Sequence, residues 1–263
     1  MGKLGHIYFE EQGAGPALVL LHGHTQDHRV WATHAAALAA RYRVITPDLA
    51  GHGRSGRSPE GAPLCCDLAA LLDHLGVDRA AVLGLSMGGA VAVSFALHHS
   101  DRCAALLPVD AALYGHPFTQ WAGPAPYVKQ AQSEGLAPAL EAWLSDPLLR
   151  HFKGPEAERL AAIVREYPGT DWLSRPPYKP FPPGPAPEAE RLGEIAAPTL
   201  VMVGEHDLPD FQAIADRLAA GIPGARKWMV EGAGHLAPFE QPERFRERLL
   251  EFLQEVPGWE PGP

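Results

Sequence analysis

The sequence lacks the features that mark several large classes of protein. Its cysteines, Cys65, Cys66 and Cys103, are an odd number without zinc-type spacing, so we expect neither a disulfide framework nor a metal site. No apolar run reaches membrane-spanning length, and the first residues contain no signal-peptide core. The formal net charge is -9, whereas nucleic acids and anionic membranes attract clustered cations. We therefore expect a cytoplasmic protein without a nucleic-acid partner or membrane insertion.

Apolar runs of strand length alternate with helical patterns over most of the chain. Continuous runs such as 17–21 and 103–109 are typical of parallel strands covered on both faces. Strands separated by helices predict an α/β protein with a mostly parallel central sheet and helices on both faces. Strands are predicted at 6–12, 17–21, 42–47, 81–85, 103–109, 198–204 and 226–230, the first of them at the sheet edge, and core helices at 30–40, 64–75, 211–220 and 242–253.

Residues 111–197 break this alternation. The stretch contains prolines, scattered aromatics and short helical patterns at 120–133, 136–144 and 156–167, followed by a proline-rich part at 175–187. It is too long to be a simple loop between two buried strands. We expect a separately folded helical cap over residues 111–197, inserted into an α/β core formed by residues 1–110 and 198–263.

A Gly-x-Ser-x-Gly motif at residues 84–88 lies between a predicted strand and a predicted helix. Gly84 and Gly88 would let the backbone turn sharply, because a Cβ at either position would obstruct the reversal. Ser86 would then be exposed at the tip of the turn. Met87 begins the helix, so its N–H is one of the unpaired donors at a helix N-terminus. Glycine-rich sequences produce this motif by chance, but the strand before it and the helix after it favour a nucleophile.

Two polar residues follow later strands in the order that a nucleophilic serine needs. Asp207 comes first and His235 second, each directly after a predicted strand. A serine hydroxyl requires an imidazole to take its proton, and a carboxylate to fix the tautomer of that imidazole. Asp110 also ends a strand and is an alternative acid or, otherwise, a polar residue of the substrate pocket. Asp210 is expected to cap the helix that follows it.

These motifs resemble those of the cap-bearing serine branch of the α/β-hydrolase fold family. The resemblance covers nearly the whole chain and includes His22-Gly23, the glycine-rich loop at 48–55, Gly84-Leu85-Ser86-Met87-Gly88-Gly89, Gly204-Glu205-His206-Asp207 and Gly234-His235. It implies the α/β-hydrolase fold, with the cap inserted after the sixth strand position. It also implies Ser86 as nucleophile, Asp207 as acid and His235 as base. The N–H groups of His24 and Met87 would form an oxyanion hole.

The expected reaction follows from the type of nucleophile. A serine, where dehalogenases and epoxide hydrolases of this fold have aspartate, points to a carbonyl substrate. The resemblance thus implies a serine hydrolase that cleaves a carboxylic ester or related acyl bond of a small molecule through an acyl-enzyme, without a cofactor. A lactone or carbon–carbon bond hydrolase with the same triad, or a ligand-binding member without activity, remains an alternative.

The cap is expected to shape the substrate pocket. Trp121 and Trp143 are candidates for an apolar pocket roof. A carbon–carbon bond hydrolase acting on a ring-cleavage product would need a cation for a second carboxylate, and the candidates are Arg150, Arg159, Arg165 and Arg175. The sequence is compatible with a monomer or a homodimer.

Overall fold

One eight-stranded sheet lies at the centre of this computed structural model, which describes residues 1–58, 62–174 and 186–259. Its strands are β1 (Gly2–Leu4), β2 (Ile7–Gln12), β3 (Ala17–Leu21), β4 (Arg43–Pro47), β5 (Ala80–Leu85), β6 (Cys103–Val109), β7 (Leu200–Gly204) and β8 (Arg226–Val230). Their order is β1-β2-β4-β3-β5-β6-β7-β8. The pairs β1–β2 and β2–β4 are antiparallel, and all others are parallel. The predicted mostly parallel sheet is confirmed.

Helices cover both faces of this sheet. They are α1 (Ala32–Leu38), α2 (Leu64–His74), α3 (Met87–His98), α4 (Ala125–Glu134), α5 (Leu136–Leu144), α6 (Pro155–Arg165), α7 (Pro209–Gly221), α8 (Ala237–Glu240) and α9 (Pro242–Gln254). Neighbouring residues of β3 show the two layers: Val19 packs in one apolar cluster with α2 and α3, and Leu20 in another with α1 and α9. This double burial explains why the central strands are continuous apolar runs. Within the described residues, no helix has the length and hydrophobicity needed to cross a membrane.

Several predicted boundaries differ from the observed ones. The strand predicted at 6–12 is the second of the sheet, because β1, too short to show an alternating pattern, pairs outside it. The helix predicted from residue 30 begins as a 3₁₀ turn over His28–Trp31. The helix predicted from residue 120 starts only at Ala125, since Gly123, with φ of 66°, and Pro124 precede it.

Residues 111–197, which we call the cap segment, connect β6 to β7 and contain α4, α5 and α6. Trp143, Leu160 and Trp172 of this segment belong to the same buried apolar cluster as Leu20 of β3. The apolar side of the segment therefore packs onto the core. Residues 175–185, which make up most of the predicted proline-rich part, lie outside the described residues.

The turn between β5 and α3 is strained. Ser86 has a φ of 54° and a ψ of -113°, a conformation that surrounding contacts must hold in place. The backbones approach closely on both sides: an ideal Cβ at Gly84 would lie 2.1 Å from Gly88 O, and one at Gly88 would lie 2.6 Å from His22 O. The N–H of Ser86 donates to Val109 O at 2.9 Å. Glycine at 84 and 88 thus allows β5, α3 and the loop after β3 to meet.

Gly84→Ala should lower the free energy of unfolding by roughly 3 kcal/mol, because the added Cβ would meet backbone atoms that cannot rotate away. Gly193→Ala is the control, since nothing lies within 4 Å of a Cβ at that position. Urea denaturation followed by circular dichroism measures both values. Equal stability of the two variants would contradict the close backbone approach at Gly84.

Candidate active site

Ser86, His235 and Asp207 form a continuous hydrogen-bonded chain. Ser86 Oγ lies 2.9 Å from His235 Nε2, and His235 Nδ1 lies 2.9 Å from Oδ2 and 3.1 Å from Oδ1 of Asp207. The three residues follow β5, β8 and β7, whose carboxyl ends meet at one edge of the sheet. Because the ionised Asp207 carboxylate can only accept, Nδ1 carries the imidazole proton and the Nε2 lone pair faces the serine hydroxyl.

Two contacts that sequence reasoning missed hold His235 in position. The carboxylate of Glu240, in α8, accepts the N–H groups of Gly234 at 2.8 Å and Leu236 at 3.1 Å, which flank the histidine. The ring centroids of Phe211 and His235 lie 4.3 Å apart. Helix α8 has only four residues and produces no periodic pattern. The one local signal for the Glu240 contact was a glutamate shortly after a glycine-rich turn.

Asp110 lies outside the cavity beside Ser86, contrary to its predicted place in the substrate pocket. Its side chain is fully buried and accepts the N–H groups of Gly204 at 2.8 Å and Ala237 at 3.1 Å. Burial, and then the nearby charge of Asp207, raise the pKa of the Asp110 carboxyl well above its usual range. The hydrogen bonds of His235 go to Asp207 rather than to Asp110. Asp110 therefore connects the two loops that carry Asp207 and His235.

Two N–H groups near Ser86 have no acceptor among the described residues. Met87 is the first residue of α3, so the helix offers its N–H no partner. His24 lies in the loop after β3, and no hydrogen bond takes its N–H in the part of the chain that the structure describes. Both residues line the same cavity as Ser86. The next residue, Thr25, has a φ of 59°, which is rare for a β-branched residue.

The side chain of His24 is bonded to the cap segment. Trp172 Nε1 donates to His24 Nε2 at 2.6 Å, which leaves the proton of the neutral ring on Nδ1. Burial lowers the pKa of His24 to about 4, so the ring is neutral at pH 7. The ring centroids of Trp143 and Tyr167 lie 5.9 and 6.1 Å from that of His24. One part-buried hydrogen bond thus joins the loop after β3 to the cap segment.

A cavity of about 200 Å³ opens beside Ser86. Most of its wall is apolar, and Trp121 and Trp143, which the sequence analysis assigned to a pocket roof, are part of it. The polar side chains in the wall are those of His24, Thr25, Gln26, Ser86 and His235. The other apolar residues are Met87, Ala90, Ala112, Phe118, Pro124, Leu148, Leu149, Leu160, Val164, Phe211 and Leu236.

Of the cap arginines proposed to bind a second carboxylate, none that the structure describes lines this cavity. Arg159 donates to backbone carbonyls of the 28–31 turn. Arg165 forms a surface ion pair, and Arg150 is exposed. Arg175 lies outside the described residues.

Asp210 holds the part of the cavity wall that contains Trp121. It was expected to cap the following helix, but α7 already begins at Pro209. The carboxylate instead accepts the N–H groups of Thr119, Gln120 and Trp121, each at 2.9 Å. Burial acts to raise the pKa of Asp210, but these hydrogen bonds outweigh it and lower the pKa to about 2. Such a bond between distant segments has no signature in the local sequence.

Three clusters of described residues bring possible metal-ligating atoms within 4.8 Å of one another. In the cluster that contains Asp48, this carboxylate already accepts two hydrogen bonds from His28, each at 2.7 Å. In the cluster that contains His24, the Trp172 indole already donates to His24 Nε2. None of the three includes a member of the hydrogen-bonded chain at Ser86. The clusters are Asp27, His28 and Asp48; His24, His52 and Asp171; and Cys65, Cys66 and His99.

The sequence from residue 16 to 242 matches the alpha/beta hydrolase fold family, and the chain belongs to this family. It is 32% identical to a 2-hydroxy-6-oxononadienedioate/2-hydroxy-6-oxononatrienedioate hydrolase of Paraburkholderia phymatum, over 94% of this chain and 90% of that protein. It is 27% identical to carboxylesterase YbfK of Bacillus subtilis, over 94% and 83%. The enol-lactonase structure from Burkholderia xenovorans LB400 matches with a TM-score of 0.78 and 29% identity, over 95% and 96%. The predicted fold and the predicted class, an α/β-hydrolase enzyme, are confirmed.

Asp210→Asn should lower the free energy of unfolding at pH 7 by about 2 kcal/mol, because an amide NH₂ would face backbone donors. The folded-state pKa of Asp210 is depressed from 3.8 to about 2. The carboxylate therefore stabilises the fold above pH 3.8, and this contribution is lost as the pH falls towards 2. The difference from the wild type should shrink between pH 7 and pH 3 in thermal denaturation.

Asp216→Asn is the matched control, because Asp216 lies on the exposed side of the same helix. It should change stability much less than Asp210→Asn at pH 7. A stability difference for Asp210→Asn that stays constant from pH 7 to pH 3 would contradict the assignment.

Proposed function

We propose that this protein is a serine hydrolase that cleaves carboxylic esters or related acyl bonds through Ser86, His235 and Asp207. The observation that carries the proposal is the hydrogen-bonded chain from Asp207 through His235 to Ser86, which ends at an apolar cavity. In this assignment residues 1–110 and 198–263 form the catalytic core, and residues 111–197 form a cap over the site.

The first half-reaction forms an acyl-enzyme. Ser86 Oγ attacks the substrate carbonyl while Nε2 of His235 takes the hydroxyl proton, and Asp207 stabilises the imidazolium. Negative charge develops on the carbonyl oxygen, and the N–H groups of Met87 and His24 receive it, each donor contributing roughly 3 kcal/mol. When the tetrahedral intermediate collapses, His235 gives the proton to the leaving alcohol.

The second half-reaction repeats these roles with water. His235 takes a proton from the water, whose oxygen attacks the acyl carbon, and the intermediate collapses to release Ser86 and the carboxylic acid. This sequence requires no cofactor. A neutral imidazole is needed at the start of each half-reaction, and the tautomer set by Asp207 supplies the lone pair at Nε2.

The cavity supports an uncharged, mainly apolar small-molecule substrate. The relative from Paraburkholderia acts on a dicarboxylate, which makes cleavage of a carbon–carbon bond or lactone the second candidate. The described cavity wall offers no arginine for a second carboxylate, and this favours simple esters. The odd number of cysteines, two of them buried, supports a cytoplasmic location. A monomer or homodimer is compatible with the site.

Ser86→Ala should abolish labelling by a fluorophosphonate probe and lower kcat for p-nitrophenyl butyrate by about 10⁶-fold, because the attacking oxygen is removed. Ser94→Ala is the control, since this buried serine of α3 bonds to Glu188 and does not line the cavity. Labelling and hydrolysis that persist in Ser86→Ala would contradict the proposed nucleophile. A wild type that is neither labelled nor active would instead favour a ligand-binding protein.

Trp172→Phe should lower kcat about tenfold with little change in KM, because the indole bond that positions the His24 loop is lost while an aromatic ring remains. The control is Trp259→Phe, since the Nε1 of this buried tryptophan has no partner among the described residues. Steady-state kinetics of both variants give kcat and KM separately. An equal fall in kcat for both, or none for Trp172→Phe, would contradict the positioning role.

A further inference from the structure

Gln26 is a polar side chain of the cavity wall that lies outside the hydrogen-bonded chain at Ser86, and its amide N–H groups have no acceptor among the described residues. It lines the cavity with Ser86, His24 and Thr25 and is only 6% exposed. The His24 imidazole accepts from Trp172, and the Thr25 hydroxyl donates to the carbonyl of His24. Gln26 therefore offers the cavity a donor that no residue of the described structure satisfies.

The orientation of the Gln26 amide is fixed by one contact. Gln26 Oε1 accepts the N–H of Gly23 at 3.0 Å, and only the oxygen of the amide can accept from an N–H. The NH₂ group is therefore the other end, and no acceptor for it is found among residues 1–58, 62–174 and 186–259. The backbone N–H of Gln26 also donates to Gly23 O at 3.3 Å, so the residue is held in a tight turn.

This turn places Gln26 in the same loop as His24, and both residues line the cavity that also contains Ser86. Gly23, whose N–H binds Oε1, directly precedes His24, whose N–H is the proposed second oxyanion donor. Much of the cavity wall consists of side chains such as Phe118, Trp121 and Leu148, which can bind a substrate chain but cannot accept from the amide. A ligand acceptor would therefore give this donor a hydrogen bond that the apolar wall cannot supply.

We propose that Gln26 Nε2 binds a second, uncharged acceptor oxygen of the substrate, such as an ether, carbonyl or hydroxyl oxygen near the scissile carbonyl. This inference rests on the proposed function. The absence of an arginine or lysine from the described cavity wall favours a neutral acceptor over a carboxylate. The preferred substrates are then oxygen-substituted acyl compounds rather than plain alkyl esters.

Two isosteric pairs of esters test the proposal. In the first pair, p-nitrophenyl methoxyacetate and p-nitrophenyl butyrate differ by one oxygen in the acyl chain. In the second, 2-methoxyethyl acetate and butyl acetate differ by one oxygen in the alcohol. The ratio of kcat/KM within each pair is compared between wild type and variants, so that the intrinsic reactivities of the esters cancel.

Gln26→Met removes both amide functions, whereas Gln26→Glu keeps an acceptor for the N–H of Gly23 and removes the donor. Both variants should lower the preference for the oxygen-containing ester about tenfold in at least one pair, and the pair affected tells whether the acceptor belongs to the acyl group or to the alcohol. Ratios that stay at the wild-type value in both pairs would overturn the proposal. A change confined to Gln26→Met would also overturn it, because Gln26 would then act only by holding the loop.

A binding measurement tests the Gln26 subsite independently of the proposed hydrolysis. Ser86→Ala protein and the Ser86→Ala/Gln26→Met double variant are titrated with 2-methoxyethyl acetate and butyl acetate, and thermal stabilisation is recorded. Preference for the methoxy ester only when Gln26 is present supports the subsite whether or not the wild type hydrolyses esters. The absence of that preference contradicts the subsite, while failure of the wild type to hydrolyse any ester contradicts the proposed reaction.

Discussion

Direct contact between backbones at the carboxyl edge of the sheet determines where the polar side chains of the site lie. A Cβ at Gly204 would lie 2.0 Å from Gly234 O, just as one at Gly84 would lie 2.1 Å from Gly88 O. The loop after β7 therefore touches the loop after β8, and the turn after β5 touches its own helix. With no side chains between these backbones, Asp207, His235 and Ser86 come within hydrogen-bond distance. The close backbone approach that these glycines permit therefore positions the site, and the polar contacts then complete it.

Buried carboxylates then fix loops that the sheet itself does not hold. Glu240 binds the N–H groups on both sides of His235, Asp110 joins the turns after β7 and β8, and Asp210 binds three consecutive N–H groups before α4. The pKa of Asp110 is raised and that of Asp210 is lowered. The difference has a physical cause, because Asp110 is fully buried and lies next to another carboxylate, whereas Asp210 receives more hydrogen bonds than burial can offset.

The sequence was sufficient for the features that depend on periodicity and on strand ends. Apolar runs located the central strands, and the order of Ser86, Asp207 and His235, each directly after a predicted strand, together with the family resemblance grouped them into one predicted site. The role of Asp110 could not be read in this way, because a position at a strand end does not tell which way the side chain points. Glu240 was missed, and Asp210 was wrongly predicted to cap a helix, for a related reason: each binds backbone N–H groups, which every residue but proline has. No sequence pattern indicated a role for Gln26, because its proposed role depends on the apolar cavity wall that forms only when the chain folds.

The cap segment is bonded to the core at points far apart along its sequence. Close to its start, the N–H groups of 119–121 bind Asp210 of α7, and towards its end Trp172 binds His24 of the loop after β3. Arg159 of α6 adds a third bond, to backbone carbonyls of the 28–31 turn, so the segment cannot rotate away as one rigid body while all three bonds stay intact. Any widening of the cavity entrance must come from shifts of the helices between these attachments, or from the release of one of them. Because one attachment is to the loop that carries His24, its release would alter the reacting end of the cavity at the moment when the entrance opens.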